Sequence, residues 1–276
     1  MADVCSHQDD ARKGVGTTAH GVASLRALES KRDSVDRLFD DPYAEALGGP
    51  VGASFISSFA GATSHPNGLV DGVAIRTKKI DDQVLKALNA DNFEQICVLG
   101  AGLDTRPWRL KAAKAHSVHY FEVDFPEIFK YKMHVLNSQS AMTEFAYHPV
   151  EADLSLDTWH TVLIQAGFDV AKPTFWILEG LTGYLTEEEA NIMFGKISTT
   201  LSAKHSRIIA TFLTPSVVFR TPMHRFFPEN PLQFVNAHGW TGQQEEIGEI
   251  GARLNRPIAA DDKFMRGYYI VTVDLL

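Results

Sequence analysis

The 276-residue sequence has only two cysteines, Cys5 and Cys97. Cys97 lies in the apolar run Ile96-Cys97-Val98-Leu99, which predicts a buried, reduced thiol and neither a disulfide nor a metal ligand. No apolar stretch approaches the ~20 residues that span a bilayer. The segment Met1 to Asp10 has no basic stretch followed by an apolar core, so no signal peptide is expected and the expected location is cytoplasmic. Positive charge is also short: 26 Lys and Arg stand against 34 Asp and Glu, a formal net charge of −8. There is no dense Lys/Arg run, so neither a nucleic-acid nor a membrane partner is expected; neutralising phosphates needs a basic face. Gly-x-Ser-x-Gly, Gly-x-x-x-x-Gly-Lys-Ser/Thr and Cys-x-x-Cys are all missing, which argues against the chemistries they carry. His116 and His119 are three apart with no third ligand evident, so no metal is expected.

What remains is ordinary globular composition, with 45% apolar and 22% charged residues. The length suits one large domain or two small ones. Residues 1–16 read as a loose polar lead-in. Ala19, Val22, Ala23, Leu25, Ala27 and Leu28 follow helical spacing. Asp40-Asp41-Pro42 reads as a stop and a new helix start, 60–68 as a loop, and 69–88 as a long helix. After residue 92 the character changes. Strands are expected over 95–99, 117–123, 144–149, 173–179, 207–213 and 267–273. Helices are expected over 106–115, 186–201, 232–238 and 242–254. This alternation predicts a parallel α/β sheet with right-handed crossovers. The expected organisation is a single domain, with a helical flank or lid over 1–92 and the sheet over 93–276.

The central motif is Val98-Leu99-Gly100-Ala101-Gly102-Leu103-Asp104-Thr105-Arg106, a strand running into a glycine-rich turn. Glycines there let the backbone approach a ligand. Asp124, in Phe121-Glu122-Val123-Asp124-Phe125-Pro126, ends the next strand and can accept hydrogen bonds from both hydroxyls of a ribose. These elements specify a nucleoside ligand without separating NAD from S-adenosylmethionine. Thr105 replaces the third glycine of a dinucleotide fingerprint, and Asp104 places negative charge where a pyrophosphate would sit. That pattern suits a cofactor with an amino group and a sulfonium; a ligand-free tight turn is the plainer alternative. Gly14-Val15-Gly16-Thr17-Thr18-Ala19 matches a fingerprint on letters only, since no strand precedes it.

Taken together, the sequence resembles the leucine carboxyl methyltransferase-like family of S-adenosylmethionine-dependent methyltransferases, in its microbial O-methyltransferase branch. The resemblance covers nearly the whole chain. It rests on Thr18-Ala19 to Ser30, Asp41-Pro42-Tyr43-Ala44, Val73-Ala74-Ile75-Arg76-Thr77, the Gly100 and Asp124 motifs, and Glu179-Gly180-Leu181-Thr182-Gly183-Tyr184-Leu185. It implies a Rossmann-like class I methyltransferase sheet, mostly parallel with an antiparallel C-terminal strand, behind a helical N-terminal flank.

The resemblance also implies roles. Arg76 pairs with the cofactor's methionyl carboxylate, with Arg26 as a second basic residue near it. Gly100 and Gly102 pass close to the cofactor, Asp124 holds its ribose, and Asp153 and Leu154 flank its adenine. Glu179 faces the methionyl amino group or the transfer site, and Glu179 and Tyr184 are the catalytic candidates. The plainer alternatives are a solvated helix charge for Arg76, a helix-terminal carboxylate for Glu179 and a helix cap for Asp153. Glu122 shares a strand face with Asp124 and reads as structural. An ionised carboxylate prefers a guanidinium, which favours Arg76 over its lysine neighbours.

Family members acting on protein C-termini carry extra length between the third and fourth strands and at the C-terminus. This chain is compact there, so a small-molecule carboxylate or hydroxyl acceptor is expected over a protein tail. A hydroxyl acceptor usually needs a base, for which His224, His238 and Tyr184 are candidates. Phe219, Phe226, Phe227 and Trp240 line an acceptor pocket or belong to the core. A nicotinamide-dependent dehydrogenase and a non-catalytic cofactor-binding relative are the rival readings.

Overall fold

The computed structural model describes residues 2–59, 67–91, 93–217, 221, 223–259 and 265–276, with side chains from Gly16 onward except Phe59. Most of the loop expected over 60–68, and Phe219, lie outside the described residues.

The chain opens with α1 (Ala2–Ser30), α2 (Ala44–Phe59) and α3 (Gly68–Asn89). The loose lead-in expected over 1–16 is therefore helical from Ala2. Ala2 to Lys13 contains neither Gly nor Pro, so polarity alone does not stop the helix there. Helix α2 bends at Gly49, whose φ is 54°, just before Pro50. It crosses α1 so closely that a methyl group on Gly52 would overlap the His20 carbonyl. Helix α3 buries Ile75, Ile80 and Val84 together with Arg76 and Asp81. Those two charges on a buried face are the first sign of a polar site beneath it.

Seven strands follow: β1 (Gln95–Leu99), β2 (His119–Asp124), β3 (Ala146–Glu151), β4 (Phe175–Leu178), β5 (Arg207–Leu213), β6 (Trp240–Glu246) and β7 (Tyr268–Leu275). Their order is β3-β2-β1-β4-β5-β7-β6. All pairs from β3 to β5 are parallel, and β7 runs antiparallel to both β5 and β6. The strand order reverses between β1 and β4, so a crevice opens there at the carboxyl ends of the strands.

Period-two alternation divides the core. Cys97 and Leu99 pack into one layer with Trp176, Phe194 and Trp240. Ile96 and Val98 face the other, with Ile75, Val84, Ile177 and Ile270. Both faces of β1 are covered, which is why it reads as an unbroken apolar run. Cys97 is a free, buried thiol.

Several expectations change. The helix from Arg106 ends at Arg109, where Leu110 turns extended. The helix expected over 242–254 is strand β6 followed by a short helix, Ile247–Arg253. Gly242-Gln243-Gln244-Glu245-Glu246 has no strand pattern of its own, and its partner β7 supplies the pairing. Helices over Pro126–Ser138 and Trp159–Gln165 stand where the sequence reading has none. Phe226 and Trp240 belong to the first core layer, with the Trp240 Nε1–H donating to Ser198 Oγ. They are core, not acceptor wall. Among the described residues, no helix is long and apolar enough to cross a membrane.

Candidate active site

At the end of β1 the backbone turns through Gly100 (φ 66°) and Gly102 (φ 52°), a region that favours glycine. A methyl group on Gly100 would also lie 2.9 Å from Leu181 Cδ1. Asp124, ending β2, meets this turn. Its Oδ2 accepts from the Gly102 N–H at 2.6 Å and its Oδ1 from the Phe125 N–H at 2.7 Å. Burial pushes its pKa up, and these two backbone donors pull it back. Each carboxylate oxygen retains a lone pair for a further donor.

Gly100, Gly102 and Asp124 line a cavity of about 930 Å³ that crosses the switch point. Arg26, Arg76, Asp153, Leu154, Glu179, Tyr184 and His224 line it too. Every residue to which the resemblance gives a role is thus brought to one cavity. His238 is not: its ring packs on Phe194 and Phe234 within the first core layer. That position removes it as a candidate base.

A chain of ion pairs runs along one wall. Arg26 Nε donates to Asp41 at 2.9 Å, and Arg109 reaches the same carboxylate at 3.8 Å. Arg109 and Arg106 share Asp81 at 2.6 and 2.7 Å. Arg106 also holds Asp104 at 2.7 Å and Glu179 at 2.8 Å. Glu179 receives Arg76 Nε at 2.6 Å, and Arg76 Nη1 donates to the Tyr268 hydroxyl at 2.9 Å. Four guanidiniums thus alternate with four carboxylates, and the chain is neutral as a whole.

Burial opposes the charge on Glu179, yet the Arg106 and Arg76 guanidiniums hold its carboxyl below the usual range. Asp104 is likewise held well below its usual value, against burial, by Arg106. Its charge is satisfied by Arg106 and does not face the cavity as a lone repulsive group, so the argument from Asp104 against a pyrophosphate loses its force. Arg76 is 8% exposed and is no solvated helix charge. Arg26 donates to Asp41 and, through Nη2, to the Leu103 carbonyl at 2.6 Å, so it braces the turn after β1 while lining the cavity.

Asp153 Oδ1 accepts from the Ser155 N–H and hydroxyl at 3.0 and 2.6 Å, closing its own turn after β3. The Tyr184 hydroxyl donates to Thr18 Oγ1 at 3.2 Å and so fastens α1 across the cavity. The His224 ring lies tilted against Tyr184, centroids 4.8 Å apart, and its Nδ1 accepts from the Thr221 N–H at 3.2 Å. In the neutral ring the proton then sits on Nε2. Phe227 lies beside His224, with ring centroids 6.4 Å apart, and is not among the lining residues.

Glu122 is structural. It is fully buried and accepts from Lys132 Nζ and the Tyr147 hydroxyl, each at 2.6 Å. Burial pushes its pKa up to about 7. Among the described residues no group of three or more His, Cys, Asp or Glu is arranged to hold a metal ion.

Sequence reasoning missed Arg106, Arg109, Asp81 and Tyr268. Arg106 had a signal, because it closes the glycine-turn motif. Tyr268 had none, because it stands 192 positions from Arg76.

A leucine carboxyl methyltransferase family profile matches residues 19–198. A protein of Frankia alni named "Putative S-adenosyl-L-methionine-dependent methyltransferase FRAAL3836" is 35% identical, covering 97% of each chain. A protein of Saccharopolyspora erythraea named "Putative S-adenosyl-L-methionine-dependent methyltransferase" is 34% identical over 92% of this chain and 93% of its own. Among solved structures, a "putative methyltransferase" from Thermobifida fusca has a TM-score of 0.60 at 15% identity, covering 84% of this chain and 92% of that one. Magnesium protoporphyrin IX methyltransferase from Synechocystis, solved with bound SAH, has a TM-score of 0.50 at 11% identity, over 81% and 94%. These structures share the fold. The profile match and the identities over nearly full length establish that the chain belongs to the leucine carboxyl methyltransferase family, among the S-adenosyl-L-methionine-dependent methyltransferases.

Proposed function

We propose that the protein methylates an oxygen of a small-molecule acceptor, with a carboxylate as the favoured group and S-adenosyl-L-methionine as the donor. The observation that carries this reading is the shared cavity. A free-edged carboxylate at a glycine turn, Asp124, faces the same space as a neutral guanidinium–carboxylate pair, Arg76 and Glu179. A ribose suits the first, and the zwitterionic end of an amino acid suits the second without adding net charge. The residues present therefore fit the cofactor. Gly100 leaves room that a Cβ would fill, Asp124 takes the ribose hydroxyls, and Asp153 with Leu154 flanks the base. Arg76 takes the methionyl carboxylate and Glu179 the ammonium, with Arg26 bracing the turn beside them. When bound, S-adenosyl-L-methionine supplies an activated methyl group and a neutral thioether leaving group.

The chain's own contribution is alignment and exclusion of water. Residues 1–92 serve as a lid: α1 and α2 cover the cavity, with Tyr184 tied to Thr18. Tyr184 acts as wall and tether, since burial raises its pKa and keeps the phenol protonated, with no phenolate to serve as base. Groups at the junction favour an acceptor that is already ionised. Glu179 is engaged by two arginines, and the His224 Nδ1 lone pair is taken by Thr221. A carboxylate needs no base there, whereas a hydroxyl does. The cytoplasmic setting read from the sequence belongs to this proposal.

Calorimetric titration with S-adenosylhomocysteine tests it. The wild type is expected to bind, Asp124→Ala and Arg76→Ala to lose most of the affinity with the fold intact by circular dichroism, and NAD to give no heat. Binding by both variants as tightly as by the wild type would refute the site.

A further inference from the structure

The two halves of the cavity differ in chemistry. Around the ends of β1, β2 and β3 the glycine turn and the carboxylates of Asp124 and Asp153 stand in its wall beside Phe125, Ile128 and Leu154. Beyond Arg76 and Glu179, toward β5, β7 and α3, the wall is Leu69, Val73, Leu213, Met223, Met265 and Tyr268. The Tyr268 hydroxyl accepts from Arg76 and keeps its own proton to donate at the junction; Thr211, Thr221, His224 and Arg225 also line the cavity. Val73 and Met265 are 5% exposed, and both belong to packed apolar clusters that open onto the cavity.

Met265 is seated on a glycine. A methyl group on Gly72, in the interior of α3, would overlap the Met265 sulfur. Glycine inside a helix destabilises it relative to alanine. Here the missing side chain leaves the space that the thioether fills. Methionine is an unbranched, adaptable filler, suited to a wall that adjusts to its ligand.

We propose that this half is the acceptor chamber, that it takes a carboxylic acid with an aliphatic or aromatic hydrocarbon body, and that Met265, resting on Gly72, sets the length of body that fits. The inference rests on the methyltransferase reading above, which assigns the other half to the cofactor. The acceptor's carboxylate meets the proton of the Tyr268 hydroxyl at the junction, while Arg76 keeps the methionyl carboxylate, and the acceptor's body leaves water for the apolar wall. Each methylene that reaches the wall is worth about fourfold in affinity.

The test uses protein loaded with S-adenosylhomocysteine and titrated with straight-chain carboxylic acids from acetate to palmitate. Affinity is expected to rise about three- to fourfold per methylene until the chamber is full, then to fall. Met265→Ala moves the maximum to longer acids, and the volume-conserving Met265→Leu leaves it in place. Both variants retain wild-type affinity for S-adenosylhomocysteine. A flat profile, no binding of any acid, or an unmoved maximum in Met265→Ala would overturn the chamber while leaving the cofactor site standing. Failure of the wild type to bind S-adenosylhomocysteine would overturn the methyltransferase reading itself, and the chamber with it.

Discussion

The two ends of the proposed cofactor cleft are built on different principles. At the nucleoside end, the site is short-range: a turn of positive φ at Gly100 and one carboxylate, Asp124, held by the adjacent N–H groups of Gly102 and Phe125. At the amino-acid end it is long-range. Arg76 meets Glu179 across 103 positions of sequence, and Arg26, Asp41, Asp81 and Arg106 join α1, α3 and the β4 end in one ionic chain. The first end is set by backbone geometry and tolerates little change of shape. The second is set by charge balance and tolerates little change of charge.

The largest expected effect breaks that second end. Arg106→Met leaves Asp81, Asp104 and Glu179 short of a partner in a buried setting. A loss of about 3–5 kcal/mol in stability is expected, read as a lower urea midpoint. The matching change at the nucleoside end, Asp124→Asn, keeps shape but weakens acceptance from two hydroxyls. It should reduce S-adenosylhomocysteine affinity by roughly 100-fold with little change in the urea midpoint. A shape change at the same end, Gly100→Ala, strains a positive φ and presses on Leu181. It should cost about 1–3 kcal/mol of stability and weaken the cofactor as well. Arg76→Lys keeps the charge but loses the fork that serves Glu179 and Tyr268 together. It should weaken binding by about tenfold, which calorimetry would measure.

A pH effect sharpens the comparison from beneath the nucleoside end. Burial raises the Glu122 carboxyl from 4.5 to about 7, so the folded protein keeps a proton that the unfolded chain releases. Stability from this group is present below about pH 4.5 and is lost as pH rises to about 7. Urea unfolding at about pH 5 and about pH 8 should show that fall in the wild type and a smaller one in Glu122→Gln.

The same contrast explains what the sequence disclosed. The β1 turn and Asp124 were legible because their determinants lie in contiguous letters: an apolar run, two glycines and an acid ending the next strand. The strands other than β6 were legible for the same reason, whereas the helices over Pro126–Ser138 and Trp159–Gln165 were not. Strand β6 was not, because its polar residues pair only by virtue of β7. Phe226 and Trp240 read equally as pocket wall or core in the sequence, and only the folded sheet places them in a core layer. Met265 and Tyr268 carried no local signal, and only folding brings them to Gly72 and Arg76. Arg106 was visible as a letter in the motif, but its three acidic partners stand on α3, in the turn and at the β4 end.

A crystal structure with S-adenosylhomocysteine tests the central claim most directly. The ribose hydroxyls are expected within hydrogen-bond distance of Asp124 and the homocysteine carboxylate at Arg76, with the chamber between Val73 and Met265 left open beside the sulfur. An adenosine lodged in that chamber, with Asp124 untouched, would contradict the account.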